Sequence, residues 1–216
     1  MLFRSQNAVR RGRGRPQIRC DEDTLRLVIE AAAQEFQANG YAGTGMGAVA
    51  IRAGVSTKTM YRLIPTKADL FGMVVTNRIG RFMLAFDDDA LDALGLAEAL
   101  ERILIAYGQL TLSAETIALN RLVIGECDRF PEIATSFYER AIVRTNRAIV
   151  DWLERQCARG LIKLDDLQAA SGMLRGMMIL EPQRAVMLGQ RAAPSADEIA
   201  ARARACARLF LNGCGA

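Results

Sequence analysis

The sequence predicts an all-α protein, and three observations carry that prediction. Apolar residues recur at spacings of three and four, whereas strict alternation of apolar and polar residues is scarce. Ala, Leu, Arg and Glu dominate, residue types that lose little side-chain freedom in a helix. Proline and Asn-Gly turns are few, and Ser, Thr or Asp stands just ahead of several apolar-periodic runs.

The elements follow in order. A first helix is expected to open at Asp21 or Asp23, carry Leu25, Val28, Ile29, Ala32 and Phe36 on one stripe, and stop at Gly40 as the residue past its end. Two short helices lie between Met46 and Leu63. Thr66 and Asp69, in capping-box spacing, open a longer helix with Phe71, Val75, Ile79, Phe82 and Phe86 on one face, which the run Asp87, Asp88, Asp89 is expected to end. Leu91 to Leu112 and Ala114 to about Asp128 predict two more, with the break near Ser113. Pro131 suits a helix start, and a long helix with Ile133, Phe137, Ala141, Ala148 and Trp152 inward is expected to reach Gly160. Asp165 or Asp166 opens the next, which Pro182 should kink or end near Glu181. In the last helix Ser195 and Glu198 form a second capping box, and Ile199, Ala203, Cys206 and Phe210 make a narrow seam of the kind that packs helix against helix.

Charge is distributed unevenly. Residues 1–80 hold 12 Lys and Arg against 6 acids, whereas residues 81–216 hold 16 against 18, so the net charge of +4 originates in the first third. That is the electrostatic footprint of a nucleic-acid-binding head on a near-neutral scaffold. With 51% hydrophobic and 24% charged residues over 216 positions, the chain is neither disordered throughout nor a disulfide-stapled miniprotein. The longest uncharged apolar-rich run, Ile103 to Ala114, is too short to span a bilayer. The N-terminus carries Arg4, Arg10, Arg11, Arg13, Arg15 and Arg19 with no apolar stretch, unlike a secretory signal, so a cytoplasmic location is expected. The five cysteines, Cys20, Cys127, Cys157, Cys206 and Cys214, are odd in number and lack C-x-x-C spacing, which argues for small apolar residues over disulfides or zinc. Histidine is absent, removing the commonest metal ligand and the usual acid/base group. No catalytic residue, metal or cofactor is expected.

Met46 to Leu63 has the punctuation of a helix-turn-helix. Ala50 is small where the second helix crosses close over the first, Gly54 suits the positive φ of a tight turn, and Ser56 suits the cap of the following helix. Val49, Ala53, Val55, Met60 and Leu63 are apolar and face a shared core. Thr57, Lys58, Thr59, Tyr61 and Arg62 remain exposed, an array of hydroxyls and cations suited to phosphates and base edges in the major groove. The arm Arg10-Arg11-Gly12-Arg13-Gly14-Arg15-Pro16 is slim enough for its arginines to enter a minor groove; a solubilising tail is the alternative.

Through Gly40-Tyr41, Thr44, Val49-Ala50, Ala53-Gly54-Val55-Ser56, Thr59-Met60-Tyr61-Arg62 and Pro65-Thr66-Lys67-Ala68-Asp69-Leu70-Phe71 the sequence resembles the tetracycline-repressor (TetR) family of bacterial transcriptional regulators. The helix order fits that family over residues 16–216. The resemblance implies a basic arm at 1–20, a three-helix DNA-binding head at 21–65, and a body at 66–216 that binds a small inducer and dimerises, about nine helices in all. It implies Thr44, Thr57, Tyr61 and Lys67 as phosphate contacts, with Ser56 at the cap and Lys58, Thr59 and Arg62 placed for bases or phosphates. Two departures stand out: Gly45 and Gly47 replace a usual Ser or Thr cap and a polar residue, and Leu63-Ile64 replaces an aromatic pair.

In the body, the last two helices resemble the family's dimerising pair, with Gly172 and Gly176 and the seam Ile199, Ala203, Cys206 and Phe210 as candidate interface. The segment Asn120 to Leu161, with Glu126, Arg129-Phe130-Pro131-Glu132, Phe137-Tyr138 and Trp152, resembles the ligand-domain subclass typified by AefR. Candidate ligand contacts on inward stripes are Phe82, Phe86, Leu104, Tyr107, Leu122, Phe137, Ala141, Met173 and Met177. The expected function is a dimeric repressor of a near-palindromic operator, released by an apolar or amphipathic inducer. Two rival classes are a sequence-tolerant architectural DNA-binding protein, and an enzyme using carboxylates such as Glu126 and Asp128, although a pair two residues apart near a helix end is more simply solvated.

Overall fold

The computed structural model describes residues 20–214, which form helices and no β-strand. The arginine arm, with Arg11, Arg13 and Arg15, lies outside the described residues. Helix α1 (Asp21–Gly43) buries Val28, Ala32 and Phe36, as its stripe predicts, and half-buries Leu25 and Ile29. Gly40 does interrupt it, with φ 71 and ψ 178, but one further turn, Tyr41 to Gly43, follows the kink. α2 (Met46–Ala53) and α3 (Thr57–Leu63) are joined through Gly54 in the left-handed region, φ 65. The Ser56 hydroxyl accepts from the Thr59 amide at 3.0 Å and so caps α3. Gly45 stands at the N-cap of α2 and supplies no side-chain bond, as its lack of a hydroxyl requires.

Thr66 caps α4 (Lys67–Met83), whose apolar face buries Phe71, Val75, Ile79 and Phe82. A 3-10 turn over Leu84–Phe86 ends it, one turn before the acidic run. Asp87 caps a short helix instead, α5 (Asp88–Asp92), and α6 (Leu96–Thr111) starts after Gly95, so the expected helix from Leu91 to Leu112 is divided. Ser113 caps α7 (Ala114–Glu126). The segment from Pro131 to Ala158 is one rod with a π-helical stretch, Tyr138–Val143, between α8 (Pro131–Phe137) and α9 (Arg144–Ala158). Asp166 caps α10 (Leu167–Met187) through two amide bonds of 2.9 Å.

Pro182 does not end α10. The helix passes through it to Met187 with the proline buried, and Arg202 Nε donates at 3.1 Å to the carbonyl of Met177, the neighbour of the Met178 carbonyl that the missing N–H leaves free. In α11 (Ala196–Cys214) the capping box is reciprocal: the Ser195 amide donates to Glu198 at 2.8 Å, and the Glu198 amide to the Ser195 hydroxyl at 3.2 Å.

Two hydrophobic clusters hold these helices. The first joins α1, α2, α3 and the first half of α4 to Val123, Ile133 and Ala141 of the body, so the apolar core runs across residue 65 without a break. The second surrounds Trp152 with residues of α4, α6, α9, α10 and α11. α6 and α11 make the most extensive helix contact. Gly108 permits it: a Cβ there would lie 2.6 Å from Met178 Cε and 2.8 Å from Ile199 Cγ2. The seam Ile199, Ala203 and Cys206 is consequently buried inside the protomer, and Phe210 packs half-buried on the same cluster. The expected place of Ile199, Ala203 and Cys206 at a dimer interface is corrected, since their side chains are used within the protomer.

Gly40 has the φ and ψ of a region almost closed to other residues. Gly40→Ala is expected to lower unfolding free energy by about 1–3 kcal/mol, measured by urea denaturation.

Candidate functional site

On α3, Met60 is buried and Thr59 and Leu63 half-buried, while Thr57, Lys58, Tyr61 and Arg62 are exposed. Amphipathic spacing alone brings these residues to one outward face; the N-terminus of α2 is open as well. There Gly45 and Gly47 leave open space where a side chain would stand. The first amides of α2, which no side chain caps, can therefore approach an anion closely.

Three of the expected contacts are engaged within the protein. Arg62 grips Asp21 with two bonds, 2.7 and 2.9 Å, tying α3 to the start of α1 and holding the Asp21 carboxyl below its ordinary range. Thr44 is buried, its hydroxyl donating to the Gly40 carbonyl at 2.7 Å. Lys67 is half-buried and its ammonium donates to the carbonyls of Tyr41 and Thr44 at 2.8 and 3.0 Å. Thr44 and Lys67 thus stabilise the turn after Gly40 in this conformation. A further clamp, Arg52 Nε on the buried Glu35 at 2.6 Å, joins α2 to α1; the hydrogen bond from Arg52 depresses the Glu35 pKa.

Head and body meet at that same turn. The Gly40 conformation breaks the helical bonding pattern and turns the amides of Tyr41 and Ala42 toward α7, where the two oxygens of Glu126 accept one each, both at 2.8 Å. The Tyr41 ring packs against Phe36, Phe71 and Phe130 at centroid distances of 5.7, 5.7 and 5.1 Å. The Lys67 ammonium lies 4.5 Å from the Tyr41 ring centroid. Burial, reinforced by the Glu132 carboxylate, pushes the Tyr41 phenol up to about 12. Glu126 was legible in the sequence only as an acid near a helix end, because its partners lie about 85 residues away in the chain.

The body contains a cavity of about 190 Å³ between α4, α6, α7, the π-helical stretch and α10. Val75, Ile79, Leu110, Leu119, Phe137 and Ile179 supply apolar wall. Tyr107, Phe137 and Ala141 are the expected ligand residues that line it. The other six lie elsewhere. Phe82, Phe86 and Leu104 belong to the second cluster, Phe82 stacking edge-on to Phe86 at 5.0 Å. Leu122 packs on the first cluster, Met173 is exposed, and Met177 lines a surface groove with Gly176 and Leu180. Inward stripes identify core, and they cannot distinguish packed core from cavity wall.

Sequence reasoning missed the polar lining: Arg78, Thr111, Thr116, Asn120, Thr145, Arg175 and Gln183. One signal was present, since Arg175 is the only charge between Asp166 and Glu181 on an otherwise apolar segment. The π-helical stretch places Ala141 and Ile142 on the cavity, a local widening of the kind often found at functional sites. Among the described residues no cluster of His, Cys, Asp or Glu could hold a metal, and no helix is long and apolar enough to cross a membrane.

A helix-turn-helix with an exposed face of hydroxyls and cations, set on a helical body that encloses an apolar cavity, defines a DNA-binding transcriptional regulator with a C-terminal ligand-binding domain. Residues 28–74 match the bacterial regulatory proteins of the tetR family, and residues 98–215 match the AefR-like transcriptional repressor C-terminal domain. The chain belongs to the tetR family. It is similar to the structure of a TetR-family transcriptional regulator from Mesorhizobium loti MAFF303099, with 26% identity and TM-score 0.78 over 92% of this chain and 100% of that one. It is also similar to the flavonoid-responsive regulator FrrA, with 28% identity and TM-score 0.72 over 90% and 98%. Among sequences, an uncharacterized HTH-type transcriptional regulator of Bacillus subtilis (strain 168), YhgD, is 26% identical over 139 residues, 64% of this chain and 70% of that protein.

Because the folded state holds the Tyr41 proton more tightly than the unfolded chain, the stability this group confers is complete below pH 10 and is lost as pH rises toward 12. Wild type is expected to lose thermal stability across this window more steeply than Tyr41→Phe, measured by circular dichroism melts.

Proposed function

We propose that the protein is a homodimeric repressor that holds a near-palindromic operator and releases it when a small, largely apolar or amphipathic molecule enters the cavity of the body. The observation that carries this reading is the continuity of α7. It lines the cavity with Thr116, Leu119 and Asn120 and ends at Glu126, the carboxylate on the backbone amides of the head. A ligand that shifts α7 moves the head with it. Release follows only if the ligand binds the displaced arrangement more tightly, each tenfold preference being worth about 1.4 kcal/mol.

Thr57, Lys58 and Tyr61, with Thr59 beside them, form the DNA-contacting set, and Arg62 joins it when it leaves Asp21. Arg11, Arg13 and Arg15 serve the minor groove. Thr44 and Lys67 support the turn on which the recognition helix rests. A tetR-family dimer face is supported by an apolar stripe on α10 and α11: Met173, Leu180 and Leu209 are each more than half exposed. Gly172 and Gly176 have nothing within 4 Å of a notional Cβ, so nothing inside the protomer requires their small size, and a second copy of α10 can approach there. Two-fold symmetry then sets the heads on half-sites about 34–36 Å apart. FrrA is named for its response to flavonoids, which fits an aromatic or amphipathic effector here.

Selection from random duplexes near physiological salt, followed by footprinting, is expected to recover one near-palindromic site; uniform binding to scrambled DNA would sink the reading. Lys58→Ala should weaken that site and reduce the slope of log affinity against log salt by about 0.9. Leu180→Glu should convert the dimer to monomer in sedimentation while leaving helical content unchanged, and operator affinity should fall at least tenfold.

A further inference from the structure

We infer that the cavity takes a small anionic amphiphile, a monocarboxylate with one aromatic ring or a branched aliphatic body, and that Arg175 binds its carboxylate. The inference rests on the cavity being the effector site and adds the chemistry of the effector. Its basis is an unanswered charge. Arg175 Nε is buried without a hydrogen-bond partner, and among the described residues no carboxylate pairs with this guanidinium. A guanidinium cannot shed its proton, and this one, half-buried on the cavity wall beside a neutral hydroxyl, has its charge answered best by an anion.

Nothing else in the cavity supplies one. The wall contains two cations, Arg78 and Arg175, and no Asp or Glu. Arg78 is already answered by Glu115 at 3.1 Å. The remaining polar groups are largely spent on backbone: the hydroxyls of Thr111 and Thr145 each donate to a carbonyl at 2.7 Å, and the amides of Asn120 and Gln183 donate at 2.9 and 3.3 Å. Arg175 is left without an anionic partner, its guanidinium hydrogen-bonded to the neutral Tyr107 hydroxyl and its Nε unpartnered. Burial raises that phenol, and the guanidinium draws it partly back, so Tyr107 stays protonated and offers a second hydrogen to the same anion. A carboxylate accepts two parallel bonds from a guanidinium, a geometry that a neutral amide oxygen cannot reproduce.

Size narrows the apolar part. A volume of about 190 Å³ exceeds the ~150 Å³ of an apolar cavity that admits benzene, so a single ring with a short substituent fits within it.

The test is calorimetric titration of the full-length protein with 4-isopropylbenzoate and cyclohexanecarboxylate, each against its primary amide, at pH 7.5. At least one acid is expected to bind wild type tenfold or more tightly than its amide. Arg175→Met should erase that preference by weakening the acid, and Arg175→Lys should restore part of it. Equal binding of acid and amide by wild type, which needs no variant, overturns the inference. So does a preference that survives Arg175→Met. If the amide binds and Ala141→Trp blocks it, the cavity stands as an effector site and only the anion is wrong. If no acid and no amide binds wild type, both the inference and the effector-site reading fall.

Discussion

The carboxylate of Glu126 reaches from the end of α7 to two backbone amides exposed by the break at Gly40, with both bonds at 2.8 Å. This contact is the polar tie within the apolar core that joins head to body, and a firm one, because backbone amides are fixed features of the chain and the acceptor is ionic. Charge-assisted bonds of this kind are shorter and stronger than neutral ones. Gly40 makes the arrangement possible twice over: its φ of 71 exposes the amides, and its missing Cβ leaves room for the carboxylate, which would otherwise lie 2.6 Å away. The carbonyls of the same turn are taken by Lys67, so a cation and an anion hold its opposite polar groups. The aromatic packing of Tyr41 covers one side of the junction, while the bond to Ala42 is exposed.

From this junction α7 extends back into the body. Arg121 on the same helix donates to the carbonyls of Val186 and Met187 at 2.8 and 3.0 Å, satisfying the C-terminal end of α10 where a positive charge also opposes the helix dipole. α7 is therefore tied at one end to the head, along its length to the cavity, and by Arg121 to the helix that carries Arg175. A ligand that pulls Arg175 toward itself acts on α10 and α7 together. The proposed switch relies on packed helices shifting as units and not deforming continuously.

Much of the fold was legible in local chemistry. The caps Ser56, Thr66, Ser113 and Asp166, the turn glycine Gly54 and the box Ser195 with Glu198 act over three or four residues, and each forms as its spacing predicts. The exposed residues of α3 were legible for the same reason, since a seven-residue helix with one buried face leaves few alternatives. The interruptions were less so. Asp87 can cap a new helix as readily as end an old one, and only the packing of α6 decides between them. Pro182 disfavours a helix in isolation, yet here it is buried by its neighbours within a continuous α10.

The sequence by itself determined an all-α chain, the helix-turn-helix and its outward face, the basic first third and the family resemblance, all of which rest on periodicity, capping and charge over short spans. Tertiary structure alone decided that the seam of Ile199, Ala203 and Cys206 turns inward, that Tyr107, Phe137 and Ala141 line a cavity while Leu104 and Phe82 fill core, and that Glu126 and Arg175 matter. The physical reason is common to these cases. A stripe declares that a residue is buried but not what buries it, and the partner of a lone charge, or the absence of one, is set by chain segments tens of residues away.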